Sequence, residues 1–222
     1  MTTTANRPQT EEMVIVHTLF RTHLAALPDL VTAVPDGDRS RAADLAGWLS
    51  ELLTGLHHHH VGEDELMWPV LASRAPQDRA LVLRMEEQHS RIADLVAGCH
   101  REGAAFAASG RRTDGGTLAA TLSDLNDSLA EHLSDEERHV LPIVREVMSV
   151  DEWRALADRG NASIPKERRL VFLGFMLHTA TPEQRDLLMT QLPLPARVVW
   201  RLVGRRDFAR AYRQIYGAGP QW

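Results

Sequence analysis

Apolar residues return at helical spacing in four stretches of the chain. The first carries Met13, Val16, Phe20, Leu24 and Leu27 and runs into Pro28, which predicts its end. The second carries Leu49, Leu52, Leu53, Leu56, Leu66, Met67 and Val70, and the third Leu81, Met85, Ile92, Val96 and Cys99. The fourth carries Leu118, Leu122, Leu125, Leu129, Val140 and Ile143. Turn formers separate them, as "PDGD" at 35–38, "RAPQD" at 74–78 and "SGRRTDGG" at 109–116. Amphipathic helices joined by short turns predict an all-α protein, an up-and-down four-helix bundle over residues 1–150. Every stripe is interrupted by polar residues: His17 in the first, a histidine run and Glu63 in the second, His89 in the third, His132 and Glu136 in the fourth. Turning such groups inward is costly unless something answers them there.

Beyond the bundle, a helix is predicted through Leu170 to Leu177, after "GNASIPK" at 160–166. A second follows in "TPEQRDLLMTQL", where Thr181 is the N-cap and Pro182 comes next, and a last one from Ala196 to Tyr216. Residues 151–222 therefore read as additional C-terminal helices, an extension that packs on the bundle. Charge sharpens this division. Residues 1–150 hold 13 Lys and Arg against 23 Asp and Glu, whereas 151–222 hold 12 against 7. In the last helix Arg197, Arg201, Arg205, Arg206, Arg210 and Arg213 interleave with aliphatic and aromatic residues, which makes it basic and amphipathic. Docking of this basic helix on the acidic bundle is the simplest reading; contact with a partner protein or an anionic membrane surface is the other.

Composition agrees with helices: 44% of residues are hydrophobic, 25% charged and only 5% aromatic. No window has the apolar length to cross a bilayer, and no nucleic-acid motif is present, so neither a transmembrane segment nor a nucleic-acid partner is expected. The single Cys99 permits no internal disulfide, and the start "MTTTANRPQTEEM" has no leader-like pattern, which points to a cytoplasmic protein.

Setting "HHVGEDELMWP" from His59 over "HLSDEERHVLP" from His132 gives H-x3-E-x5-P twice. His17 precedes His59 by 42 positions and His89 precedes His132 by 43, so the chain reads as a duplicated helix pair. Residues four apart share a helix face, so His59 with Glu63, and His132 with Glu136, each aim an imidazole and a carboxylate at one point. With His17 and His89 these make four imidazoles and two carboxylates converging in a bundle. That donor set suits iron, zinc or manganese, lacks the thiolates of a cysteine site, and is too large for one tetrahedral zinc. Two metals bridged by Glu63 and Glu136 fit it better.

This constellation resembles the hemerythrin-like (HHE cation-binding) family, over roughly residues 10–148. The resemblance implies a non-haem di-iron centre: two iron ions under an oxo or hydroxo bridge, both glutamates bridging, the histidines as terminal ligands, and an open position for a small molecule. Oxygen-carrying members use five histidines, two of them a turn apart on the third helix; here the turn neighbours of His89 are Met85 and Ala93. Two replacements are open, His60, which shares the stripe of Leu53, Leu56 and Met67 and ranks first, and Glu86, three residues before His89. The function implied is binding or reduction of O2, H2O2 or NO in oxidative or nitrosative stress, extending to enzymatic breakdown of peroxide or NO. The alternative is an iron or oxygen sensor, or a metal-stabilised interaction protein without turnover.

The other polar residues read more plainly. His58 faces solvent and His57 is borderline; His23 and His139 are surface or supporting residues; His100 and His178 face solvent. Cys99 belongs to the core, the "EDE" and "DEE" runs are mostly solvated faces, and Trp68 and Leu141 are helix-end packing residues.

Overall fold

Four long helices form where the stripes lie. The computed structural model describes residues 7–221; the first six residues, part of the start read above for leader features, lie outside the described residues. Helix α1 spans Glu11–Thr32 and α2 Arg39–Leu66; the short α3 (Trp68–Arg74) precedes α4 (Arg79–Ser109) and α5 (Arg112–Asp135). The helices α1, α2, α4 and α5 close a ring in which each packs against two neighbours. Pro28 does not end α1, which continues one turn further. A proline there cannot donate to the Leu24 carbonyl, and the side chain of Asn126 donates to it instead, at 3.2 Å. The "SGRRTDGG" turn is also shorter than predicted. Only Gly110 and Arg111 separate α4 from α5, because Gly110 closes α4 in the left-handed region at φ +63° and reverses the chain at once.

The two copies of the proline motif break their helices in different ways. Met67 interrupts α2 before Pro69, whereas α5 passes through a wide π turn at Glu136–Val140 into α6 (Leu141–Val147), which holds Pro142. A helix that the stripes did not predict follows, α7 (Val150–Ser163), started by a reciprocal capping box between Ser149 and Glu152. Leu156 of α7 packs where α2 offers Gly62. The chain then forms α8 (Arg169–Thr179), α9 (Pro182–Gln191, capped by Thr181), α10 (Leu194–Val199) and α11 (Arg205–Tyr216). The last helical run starts at Leu194, two residues before the predicted Ala196, reaches Tyr216 as predicted, and passes through a π turn at Trp200–Gly204 on the way.

Two apolar clusters make the core. One fills the bundle from Leu19 to Leu133 and continues into the extension through Phe172, Phe175, Trp200, Phe208 and Ile215. The other, with Met13, Met67, Trp68, Met85, Val140 and Trp153, caps the opposite end. Ion pairs join extension and bundle at Arg168–Glu51 (2.6 Å) and Arg159–Glu65 (2.8 Å), while Arg210 of the last helix pairs with Asp207 on its own helix (3.6 Å). The final helix seats by its apolar face and by hydrogen bonds to α2: Arg41 donates to the carbonyls of Gln214 and Ile215, and Gln214 donates to Asp44 at 2.7 Å. His178 is not solvent-facing as predicted, since it lies half-buried with its ring 4.8 Å from that of Tyr212. Among the described residues no helix is long and apolar enough to cross a membrane.

Candidate metal centre

Between the two apolar clusters lies a polar layer. Helix α1 supplies His17, α2 supplies His59, His60 and Glu63, α4 supplies His89, and α5 supplies His132; Glu136 opens the π turn that follows. π turns inside helices often mark functional positions. All these side chains are buried or nearly so, His59 being the most open with 10% of its side chain exposed. Their donor atoms fall into two groups, each within 4.8 Å: His17, His59, Glu63 and Glu136 in one, His60, Glu63, His89 and His132 in the other. Glu63 alone belongs to both, because Glu136 leans toward His17 (3.2 Å) and away from His132 (3.9 Å).

Three of the imidazoles are fixed from behind. His17 Nδ1 donates to Glu137 Oε1 at 2.9 Å, an oxygen that also accepts from Arg21 at 2.7 Å. His89 Nδ1 donates to Asp64 Oδ1 at 2.7 Å, which accepts from Trp68 Nε1 at 2.9 Å. His132 Nδ1 donates to Gln88 Oε1 at 3.1 Å, and Gln88 Nε2 donates to Asp135. With Nδ1 committed to donating, Nε2 is left to face the interior. There the nitrogens meet head to head: His17 Nε2 is 3.2 Å from His59 Nε2, and His89 Nε2 is 3.1 Å from His132 Nε2.

His89 and His132 both donate through Nδ1, so as neutral rings they would present lone pairs to each other at that distance, and a proton or a cation must lie between; His17 can instead accept from an Nε2–H of His59. Burial holds His59 and His132 down to about 3, and His60 well below its ordinary value. Burial acts on His17 and His89 as well, but the carboxylates override it. Glu136 and Glu137 lift His17 to about 9, and Asp64 and Glu63 lift His89 to about 9. Each pair thus holds one imidazolium facing one neutral ring. Of the two central carboxylates, Glu63 is pushed up by burial and by the charge of Glu136; Glu136 is held down, the charge of His17 outweighing its burial.

A metal cation fits this arrangement better than a proton does. Both oxygens of Glu63 and of Glu136 are buried and make no hydrogen bond of acceptable direction, although imidazole nitrogens lie 3.2 to 3.4 Å away. Nitrogen and oxygen atoms converge on common points instead of lining up along N–H bonds, which is how a coordination shell is built. His60 stacks on His89 (ring centroids 4.1 Å apart, 13° between planes), and its buried Nε2 has no hydrogen-bond partner. Its counterpart in the second repeat is Leu133, so only one half carries the extra imidazole. Glu86 is exposed and stands outside both groups. It lines, with His57, His60, Asp64, His89 and Ile92, a cleft of about 730 Å³ that opens beside the second group.

Several sequence readings need correction. Asp64 and Glu137 sit inside the acidic runs read as mostly solvated, yet both orient the rings, while Trp68 packs in the core as expected and also donates to Asp64. The repeat held the signal, since Asp64 and Glu137 each directly follow the central glutamate of their motif. His23 is not at the surface: it is buried, its ring lies 4.8 Å from that of Phe175, and it is hydrogen-bonded to the Tyr216 hydroxyl. The extension covers that side of α1, which four stripes could not reveal. His57, His100 and His139 are exposed and His58 is half-buried.

A family model described as the hemerythrin HHE cation binding domain matches residues 9–144. No curated protein and no solved structure matches the chain.

Proposed function

The chain belongs to the hemerythrin HHE cation-binding family, and from that premise we propose that it is a non-haem di-iron protein that binds or reduces O2, H2O2 or NO in oxidative or nitrosative stress. The observation that carries this reading is the pair of head-to-head Nε2 contacts set around carboxylates without hydrogen bonds. His17, His59 and Glu136 would hold one iron, and His60, His89 and His132 the other, with Glu63 shared. Two ferrous ions bound there would supply two electrons to one small molecule. The chain's own residues do the rest. Glu137 and Asp64 fix the rings, the apolar clusters on either side limit solvent, and the cleft beside His60 and His89 gives a small ligand its approach.

Elemental analysis of untagged protein purified with iron supplied, with the absorption spectrum of the same sample, tests the centre. About two irons per chain with ligand-to-metal charge-transfer bands is the expected result; zinc, or no metal, overturns it. Iron-loaded protein whose spectrum ignores O2, H2O2 and NO alike would remove the small-molecule role and leave cation binding. A second reading, a sensor without turnover, is favoured by one observation. Helix α1 carries both His17 and His23, and His23 is bonded to Tyr216 of the last helix. It predicts that a chelator changes the proteolysis of α11, and an unchanged cleavage pattern rejects it.

A further inference from the structure

The segment Leu194–Arg206 turns an apolar stripe outward. Leu194 is 72% exposed and Leu202 68%, and Val198, Val199 and Val203 are each about half exposed. A contiguous aliphatic face on the surface needs a cover. The segment cannot roll to hide it, because Trp200, within the same turn, is buried in the core cluster that also holds Phe208. Along the segment positive charge predominates. Between residues 194 and 213 stand six arginines against a single acid, Asp207. Arg205, Arg206, Ala209, Arg210 and Arg213 line a shallow basic cleft of about 500 Å³ at its edge.

From these features we infer that the α10–α11 face binds the surface of an anionic lipid bilayer, with Leu194, Val198, Leu202 and Val203 entering the acyl boundary and the arginines meeting headgroup phosphates. The charge pattern selects this occupant. An aliphatic stripe interleaved with six arginines and one acid matches a plane that is apolar within and anionic at its rim, and a bilayer needs no shaped groove to receive a single helix. The stripe is too short to span the membrane, so the chain would lie on it.

The test is flotation of the full chain with vesicles of phosphatidylcholine, with and without phosphatidylglycerol. The expected result is flotation with the anionic vesicles at low salt, release at high salt, and none with phosphatidylcholine alone. The double variant Val198→Ser, Leu202→Ser should bind about tenfold more weakly. Leu83→Ser, which alters an exposed leucine on α4, should bind as the parent does. Both altered residues of the double variant are exposed, so circular dichroism should show it folded; the salt and lipid dependence of the unmodified chain stands without it. Protein left unfloated with anionic vesicles at low salt overturns the inference. So does a dimer in sedimentation that Leu202→Ser dissociates, which would show that a second copy covers the stripe.

Discussion

Asp64 and Glu137 hold the same place in the two repeats, and each steadies a histidine of the opposite half. Such outer partners fix tautomer and ring direction, and losing one typically weakens metal binding by about tenfold to a hundredfold. Asp64→Asn should therefore lower metal affinity in chelator competition while leaving the fold intact, because 44% of its side chain is exposed. Glu63→Gln, at the only residue shared by both groups, should abolish stoichiometric binding; equal affinity in both variants would contradict these roles. The protons of the cation-free centre give a second expectation. His17 and His89 are held near 9, so at neutral pH each is charged, and cations entering there must displace protons. Metal affinity should rise with pH up to about 9 and then level, with proton release seen as a buffer-dependent heat of binding. The sign for folding is opposite. A histidine whose folded value lies above its unfolded value of about 6.5 stabilises fully below that value, and this contribution is lost as pH rises through about 9. The cation-free protein should thus melt lower at pH 9.5 than at pH 7.5. Sequence spacing was enough to bring His17, His59, Glu63, His89, His132 and Glu136 to one layer, because helix periodicity fixes the facing of such residues. Asp64 and Glu137 were less legible, since an acid on a helix shoulder looks the same whether it meets water or an imidazole.

At the scale of elements, the four stripes gave the all-α bundle, and the departures from them have local causes. Helix α7 escaped the stripe reading because only Trp153 and Leu156 of its residues are buried, too few to make a period; its start was nonetheless written in Ser149 and Glu152. Pro28 misled because the acceptor that it frees is satisfied from α5, a partner about a hundred residues away. The turn at Gly110 is where an element boundary is most tightly specified. A Cβ there would meet the backbone of residues 37 to 39 at 2.8 to 3.0 Å, in addition to the strain of a positive φ. Gly217 closes α11 with a similar φ of +74°, but in open space. Gly110→Ala should therefore destabilise by about 2 kcal/mol or more, and Gly217→Ala by about 1 kcal/mol, measured by chemical denaturation. Equal costs would mean that the backbone around Gly110 yields, and that the α4–α5 turn does not set the register of the bundle.

Across the whole molecule, the charge asymmetry predicts an attraction between extension and bundle, which Arg168–Glu51 and Arg159–Glu65 realise, but the last helix is seated by interlocking apolar side chains together with hydrogen bonds from Arg41 and to Asp44. Phe208 and Ile215 join the bundle's own cluster, and Phe208 fits against Gly174 so closely that a Cβ on that glycine would lie 2.4 Å from its ring. Net charge could not reveal this, because it describes an average field and says nothing of which side chains interlock. Two faces of the same C-terminal segment can be separated by experiment. Phe208→Ala removes a fully buried ring and should cost about 3–5 kcal/mol, lowering the melting temperature of the full chain. Leu202→Ser alters a residue left 68% exposed and should stay within about 0.5 kcal/mol. Deleting residues 187–222 removes Trp200, Phe208 and Ile215 together and strips Phe208 and Tyr212 from the ring of Phe175. At about 1.5–3 kcal/mol for each large side chain unburied, the loss rivals the whole stability of a typical domain. The truncated chain should aggregate or melt far below the full one. If it melts with the parent, the extension is an independent appendage, and the part-buried bond between His23 and Tyr216 has no part in holding α1, and with it His17, in place.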